Sequence, residues 1–247
     1  MKIKTLGIFD SGLGGYVVFD ALKKTYPDLD MVLYADQKHA PFGNHDPETI
    51  VKLTLSALNW FKEQGIFDVL LACNTASSVI DVIKENLSGM RVWGIIDLTL
   101  SQLDDDVETV GVFGTVATIN SHAYQKTYQK SIKEVSIRDL VHAIEGLDDS
   151  VAVDDMIAAS VLEMGSVETI ILGCTHYPLV KDRFKKYTNA QILDSNQPIL
   201  EFVGENYEPK TGDTKVISTL NPEHLQRQVK ALFGEDIEVV YHENCNL

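Results

Sequence analysis

The sequence predicts an α/β protein of two pseudo-symmetric halves, each with a mainly parallel sheet, and an active site in the cleft between them. Three observations carry this expectation. Short apolar runs alternate with segments of helical apolar spacing along most of the chain, the pattern of β-α units whose strands run parallel. The pattern then restarts. Val110-Gly111-Val112-Phe113-Gly114-Thr115 echoes Leu6-Gly7-Ile8-Phe9-Asp10-Ser11, and Ile170-Ile171-Leu172-Gly173-Cys174-Thr175-His176 echoes Val69-Leu70-Leu71-Ala72-Cys73-Asn74-Thr75. Each half thus ends one apolar strand in a cysteine. We read the halves as Rossmann-like or flavodoxin-like units, residues 1–97 with 207–247 forming the first and 98–206 the second. The closing residues are assigned to the first half because two short strands and one helix are marginal alone.

Taken in order, Ile3 to Phe9 alternates as a strand, and Asp10-Ser11-Gly12-Leu13-Gly14-Gly15 follows as a glycine-rich turn. Its spacing is not G-x-G-x-x-G, so it is not read as a dinucleotide site, although its backbone N–H groups can face an anion. A helix is expected from Tyr16 to Tyr26 and a strand from Met31 to Ala35. A polar loop from Asp36 to Asp46 contains Pro41-Phe42-Gly43-Asn44. Asp46-Pro47-Glu48 starts a helix, with a capping carboxylate, proline in the first turn and an acid near the positive dipole end. That helix runs to about Gln64, before Gly65. A strand from Phe67 to Ala72 leads to Cys73, a helix continues to about Leu87, and Arg91 to Ile95 is a strand. In the second half, helices are expected near Thr118 to Lys130, Arg138 to Gly146 and Val151 to Met164, and late strands at Lys215 to Thr219 and Ile237 to Tyr241. Asn221-Pro222-Glu223 starts a helix between those strands.

The bulk composition narrows the function classes. The chain has 247 residues, 45% hydrophobic and 23% charged, an ordinary balance for a globular protein with a sizeable core. A net charge of −15 repels nucleic acid and anionic lipid, so neither is an expected partner. An anionic substrate would need a locally built site. Three cysteines without a close framework suit free thiols in a reducing cytoplasm. The N-terminus meets Asp10 before any long apolar run, unlike a signal peptide. No apolar run approaches the roughly 18 residues of a membrane span.

In open α/β sheets, ligands collect at the carboxyl ends of strands. Asp10, Cys73, Thr115 and Cys174 all fall there. If the halves face each other, the thiols approach one cleft from opposite sides. That geometry suits inversion of a carbon centre, in which one group removes a proton from one face and another delivers a proton to the other. A thiol with an ordinary pKa of about 8.5 exchanges between acid and base near neutral pH with modest tuning. Asp10 and His176 are the neighbouring groups able to exchange a proton with a thiol.

The set Phe9-Asp10-Ser11-Gly12-Leu13-Gly14-Gly15, Pro41-Phe42-Gly43-Asn44, Ala72-Cys73-Asn74-Thr75-Ala76-Ser77 and Gly173-Cys174-Thr175-His176-Tyr177-Pro178 closely resembles the glutamate racemases, a branch of the cofactor-independent aspartate/glutamate racemase superfamily. The resemblance spans nearly the whole chain in order. It implies that Cys73 and Cys174 are the two acid/bases, assisted by Asp10, His176 and Glu145. It also implies substrate contacts from Ser11, Asp36, Pro41, Phe42, Gly43, Asn74, Thr75, Thr115, Thr118 and Thr175. The implied partner is a small amino acid, with no metal, pyridoxal phosphate or nucleotide, and the resemblance allows a homodimer. By the same resemblance, Cys73 takes the proton from the D-form and Cys174 from the L-form. Three segments depart from the family: Phe42 replaces a usual tyrosine, the segment Ile137 to Ile144 lacks the usual Cys and Pro, and Asp97-Leu98-Thr99 stands for Glu-Pro-Gly. In the second of these, Arg138 or His142 either remodels a side-chain pocket or is simply solvated.

Rival readings remain open from the residues alone. Cys73, Cys174 and His176 share ligand chemistry with metal sites, but no C-x₂-C pair occurs. His242-Glu243-Asn244-Cys245 has loose ligand character at a chain end expected to fray. A two-lobed amino-acid binding protein has the same outline without needing opposed thiols, and the departures at Phe42 and before Glu145 leave open a weakened, glutamate-racemase-like binding protein. Aspartate or another amino acid is the nearest alternative substrate to glutamate.

Overall fold

The computed structural model describes residues 2–146 and 150–243; Cys245 lies outside them. Among the described residues, ten strands form two sheets: β1 (Thr5–Asp10), β2 (Asp30–Ala35), β3 (Asp68–Leu71), β4 (Arg91–Gly94), β5 (Val110–Gly114), β6 (Ile132–Ser136), β7 (Thr169–Gly173), β8 (Gln191–Leu193), β9 (Thr214–Ser218) and β10 (Val240–Tyr241). The first sheet has the order β10-β9-β2-β1-β3-β4 and the second β6-β5-β7-β8. All of these pairings are parallel. The repeat seen in the sequence is a topological one: β2-β1-β3-β4 and β6-β5-β7-β8 are the same four-strand arrangement. The first sheet is extended by β9 and β10, which the chain adds on its return from the second.

The repeat also fixes where the polar residues emerge. Phe9 pairs with Leu71 and Gly114 pairs with Gly173. Asp10 and Cys73 therefore leave adjacent strands at one edge, as do Thr115 and Cys174. The central strands β1, β3, β5 and β7 are almost wholly buried, as expected of strands covered by helices on both faces. One apolar cluster is continuous between the halves, joining Ile95, Ile96 and Leu100 to Val112, Ile119, Tyr124 and Ile171. Full burial of each large aliphatic side chain contributes about 1.5–3 kcal/mol, so this cluster resists separation of the halves at that end.

Local starts behave as their chemistry dictates. Asp46 accepts a hydrogen bond from the Thr49 N–H at 3.0 Å and begins the helix Pro47–Glu63. Asn221 accepts from the Glu223 N–H at 3.1 Å and begins Pro222–Phe233. Two expected helices are instead broken. The stretch after Cys73 divides into Asn74–Ser77, Ile80–Ile83 and a 3₁₀ turn at Lys84–Asn86. Ser78 Oγ donates to the Thr75 carbonyl at 2.7 Å, offering the backbone a partner that competes with the helical ladder. The expected helix Thr118 to Lys130 divides into Val116–Ser121 and Ala123–Thr127 around His122, which has φ 51°. Ser121 Oγ donates to the Thr118 carbonyl at 2.6 Å and accepts from the Ala123 N–H at 3.2 Å, stabilising the break. Two short edge strands, β6 and β8, and the helix Asn196–Asn206 were not expected from the sequence. The late strand expected over Ile237 to Tyr241 shrinks to β10, which pairs only with β9. No helix of the described residues is long and apolar enough to cross a membrane.

Candidate active site

The strand ends converge on one pocket lined by Ser11, Pro41, Phe42, Gly43, Cys73, Asn74, Thr75, Thr115, Val141, Cys174, Thr175 and His176. Both cysteines are free thiols and buried, each 6% exposed. The pocket holds about 20 Å³ of free space, close to what one water requires. Most of the residues singled out in the sequence meet here. Asp10, Glu145 and Thr118 stand one bond behind the lining. Asp36 reaches no lining side chain; it accepts from Thr219 Oγ1 at 2.7 Å and lies 2.9 Å from His39 Nδ1. Arg138 and His142 are exposed, and Val141 is the residue of that segment in the lining. Phe42 packs edge-on against Phe9, with ring centroids 5.9 Å apart.

Each thiol has its own polar company. Ser11 Oγ lies 3.6 Å from Cys73 Sγ. His176 Nδ1 lies 3.8 Å from Cys174 Sγ, and its Nε2 lies 2.7 Å from Glu145 Oε1. Asp10 is fully buried; its carboxylate accepts from the Gly12 N–H at 2.8 Å and from Thr175 Oγ1 at 3.1 Å. The hydroxyls of Thr75, Thr115 and Thr118 form a triangle with edges of 2.9–3.0 Å. Sequence reasoning missed Gln228, whose Nε2 donates to Glu145 Oε2 at 3.4 Å, and Tyr124, whose hydroxyl donates to Asn74 Oδ1 at 2.6 Å. Both arrive from distant helices without a motif.

Burial shapes the proton chemistry. It raises the Asp10 carboxyl to about 6, against the opposing charge of His176 and hydrogen bonds from Gly12 and Thr175. It raises the Cys73 thiol to about 12, helped by the nearby Asp10 charge. For His176, burial alone favours the neutral ring, but Cys174 and Glu145 together outweigh it and hold the imidazole well above its ordinary value. Burial likewise opposes ionisation of Glu145, yet the bond with His176 keeps that carboxyl below its ordinary value. The result is an imidazolium–carboxylate pair beside Cys174 and a protonated thiol with a titrating carboxyl beside Cys73. Two glycines beside this machinery are required by space. A Cβ on Gly14 would lie 2.0 Å from Thr175 Oγ1 and 2.8 Å from the His176 ring, and one on Gly43 would lie 2.7 Å from Thr115 Cβ. Among the described residues, no group of three His, Cys, Asp or Glu side chains is arranged to hold a metal ion.

Comparison with known proteins bears on this arrangement. A family model described as Asp/Glu/Hydantoin racemase matches residues 18–203. Glutamate racemase of Ruegeria sp. (strain TM1040) is 37% identical, with 91% of this chain and 97% of that protein covered. Glutamate racemase of Aquifex aeolicus is 30% identical, covering 94% of this chain and 95% of that protein. Among solved structures, glutamate racemase of Aquifex pyrophilus is 28% identical with a TM-score of 0.81, covering 97% of this chain and 98% of that one. The Francisella tularensis glutamate racemase structure, in complex with D-glutamate, has a TM-score of 0.90 over all of both chains at 23% identity, which supports the fold.

Proposed function

This chain belongs to the Asp/Glu/Hydantoin racemase family, and we propose that it interconverts L- and D-glutamate without a cofactor, using Cys73 and Cys174 as opposed acid/bases. The observation that carries this reading is the pair of buried thiols lining one pocket, Cys174 beside the His176 imidazole and Cys73 within reach of the buried Asp10 charge. From L-glutamate, Cys174 takes the α-proton on one face and the Cys73 thiol delivers its proton to the other. Residues 1–97 with 207–247 and 98–206 supply the two walls. Hydroxyls, the Asn74 amide and backbone N–H groups hold the substrate's charges, consistent with a net negative protein that needs a local anion site. The product is D-glutamate, a cell-wall precursor in bacteria, made in the cytoplasm.

Each inversion leaves the thiols with exchanged protonation. Asp10 beside Cys73 and the His176–Glu145 pair beside Cys174 are the groups able to reset them. Because enantiomers have equal free energy, kcat/KM must be the same in both directions at every pH. The unequal surroundings of the thiols therefore affect how each half-reaction is poised, not the overall balance. Circular dichroism of each glutamate and aspartate enantiomer during turnover tests the assignment. Both glutamate enantiomers should approach the racemate, with aspartate at least about 100-fold slower. No change in glutamate ellipticity would refute it, and faster aspartate turnover would move the substrate.

Two substitutions probe the machinery. Gly14→Ala must displace Thr175 or His176, and ångström-scale misplacement costs on the order of 10²-fold in rate; far-UV dichroism should stay native while turnover falls by that order. Glu145→Gln removes the carboxylate that helps hold His176 protonated. The imidazolium then titrates at lower pH, so the alkaline limb of the kcat/KM profile should move toward acid, with kcat falling roughly 10–100-fold. An unchanged profile would show that Glu145 does not act through His176.

A further inference from the structure

Asn74 lies in the pocket lining, is 2% exposed, and its Nδ2 has no hydrogen-bond acceptor among the described residues. A buried amide nitrogen without an acceptor costs about 1–3 kcal/mol, and native structures rarely leave one without a reason. The other end of the same amide is firmly held: Tyr124 donates its hydroxyl proton to Asn74 Oδ1 at 2.6 Å. Tyr124 is wholly buried on the far half of the molecule, within the apolar cluster that joins the halves. Burial, with the charges of Cys174 and Glu134 adding to it, keeps its phenol protonated. The phenol is therefore a fixed donor, and the amide must turn its oxygen toward it.

Resting on the functional reading above, we propose that Tyr124 is a positioning residue for substrate binding: its hydroxyl locks the Asn74 amide so that Nδ2 presents its donor protons to a carboxylate of the bound amino acid. The same ring explains an adjoining feature. A Cβ on Gly173 would come within 3.1 Å of Tyr124 Cε2 and 2.9 Å of the Phe113 carbonyl. Gly173 immediately precedes Cys174, and Asn74 immediately follows Cys73. One tyrosine thus packs its ring on the approach to one thiol while its hydroxyl orients the residue beside the other.

The test is calorimetric titration with D-glutamate, alongside steady-state kinetics, on wild type, Tyr124→Phe, Asn74→Ala, Asn74→Asp and the double variant Y124F/N74A. Tyr124→Phe keeps the ring against Gly173 and removes only the hydroxyl. It should raise Kd and KM about tenfold, the scale of about 1.4 kcal/mol, with kcat falling less. Asn74→Asp can still accept from Tyr124 but offers no donor, so it should lose at least as much affinity as Asn74→Ala. In the double variant the tyrosine effect should vanish, because its only route is through Asn74. Unchanged Kd in Tyr124→Phe overturns the inference while leaving the racemase reading intact. So does an effect of equal size on the Asn74→Ala background, or full affinity in Asn74→Asp. If wild-type protein fails to bind glutamate at all, the inference and the functional reading fall together.

Discussion

Replacing either Cys73 or Cys174 by alanine is expected to lower glutamate inversion by at least about 10⁴-fold, the upper range for loss of a positioned acid or base. Inversion needs a group on each face of the α-carbon, so neither thiol can substitute for the other. The double variant should be little worse than either single one, because residues acting as a unit are not additive. The two losses should differ in what survives. With Cys174 gone, Cys73 remains the group facing the D-form, so slow α-proton exchange is expected from D-glutamate and not from L-glutamate. With Cys73 gone, the preference reverses. Both thiols are buried yet small, and Cys→Ala at each should leave the fold intact by thermal unfolding. A variant that retains more than about 1% of inversion would assign its cysteine a structural role.

Asp10→Asn is expected to trade stability against activity. The buried carboxyl titrates near 6 instead of 3.8, so the folded state holds its proton more tightly than the unfolded state. The stability this confers is fully present below pH 3.8 and is lost as pH rises through about 6. Above that, the ionised, desolvated Asp10 costs the wild type about 3 kcal/mol relative to the acid limit. Asparagine keeps an acceptor for the Gly12 N–H and carries no charge. The stability of Asp10→Asn relative to wild type should therefore rise by about 1–3 kcal/mol between pH 4 and pH 8, measured by denaturant unfolding at both pH values. Turnover should fall by roughly 10²-fold or more, because the group that resets Cys73 is gone. A variant that loses relative stability over this range would show that the carboxylate's hydrogen bonds, and not its burial, dominate.

The parts of the molecule legible in its sequence are those whose chemistry is local. Buried parallel strands announce themselves as apolar runs, and the echo of Val69–Thr75 in Ile170–His176 foretold a repeated strand order. Strand ends then placed Asp10, Cys73, Thr115 and Cys174 together because parallel strands emerge at one edge. Edge strands were hidden: β6 is half exposed and polar, and β8 has only three residues. The breaks at Ser78 and His122 depend on hydroxyls choosing backbone partners, which helical spacing does not encode. Tyr124 and Gln228 reach the site across tertiary contacts from helices with no motif of their own. Asp36 illustrates the reverse, a residue with a suggestive position whose carboxylate is occupied by Thr219 and His39.

Two different groups handle the two faces of the α-carbon if both thiols act as proposed. The most direct measurement is the early time course of inversion of protiated L-glutamate in D₂O, with deuterium followed separately in the remaining L-form and the D-product. The D-product should carry α-deuterium from its first appearance, delivered by a solvent-equilibrated Cys73. The unreacted L-glutamate should remain largely protiated, because the proton taken by Cys174 returns to the same face before it exchanges. D-product that retains the substrate's own α-proton would mean that one group serves both faces, and would rule out opposed roles for Cys73 and Cys174.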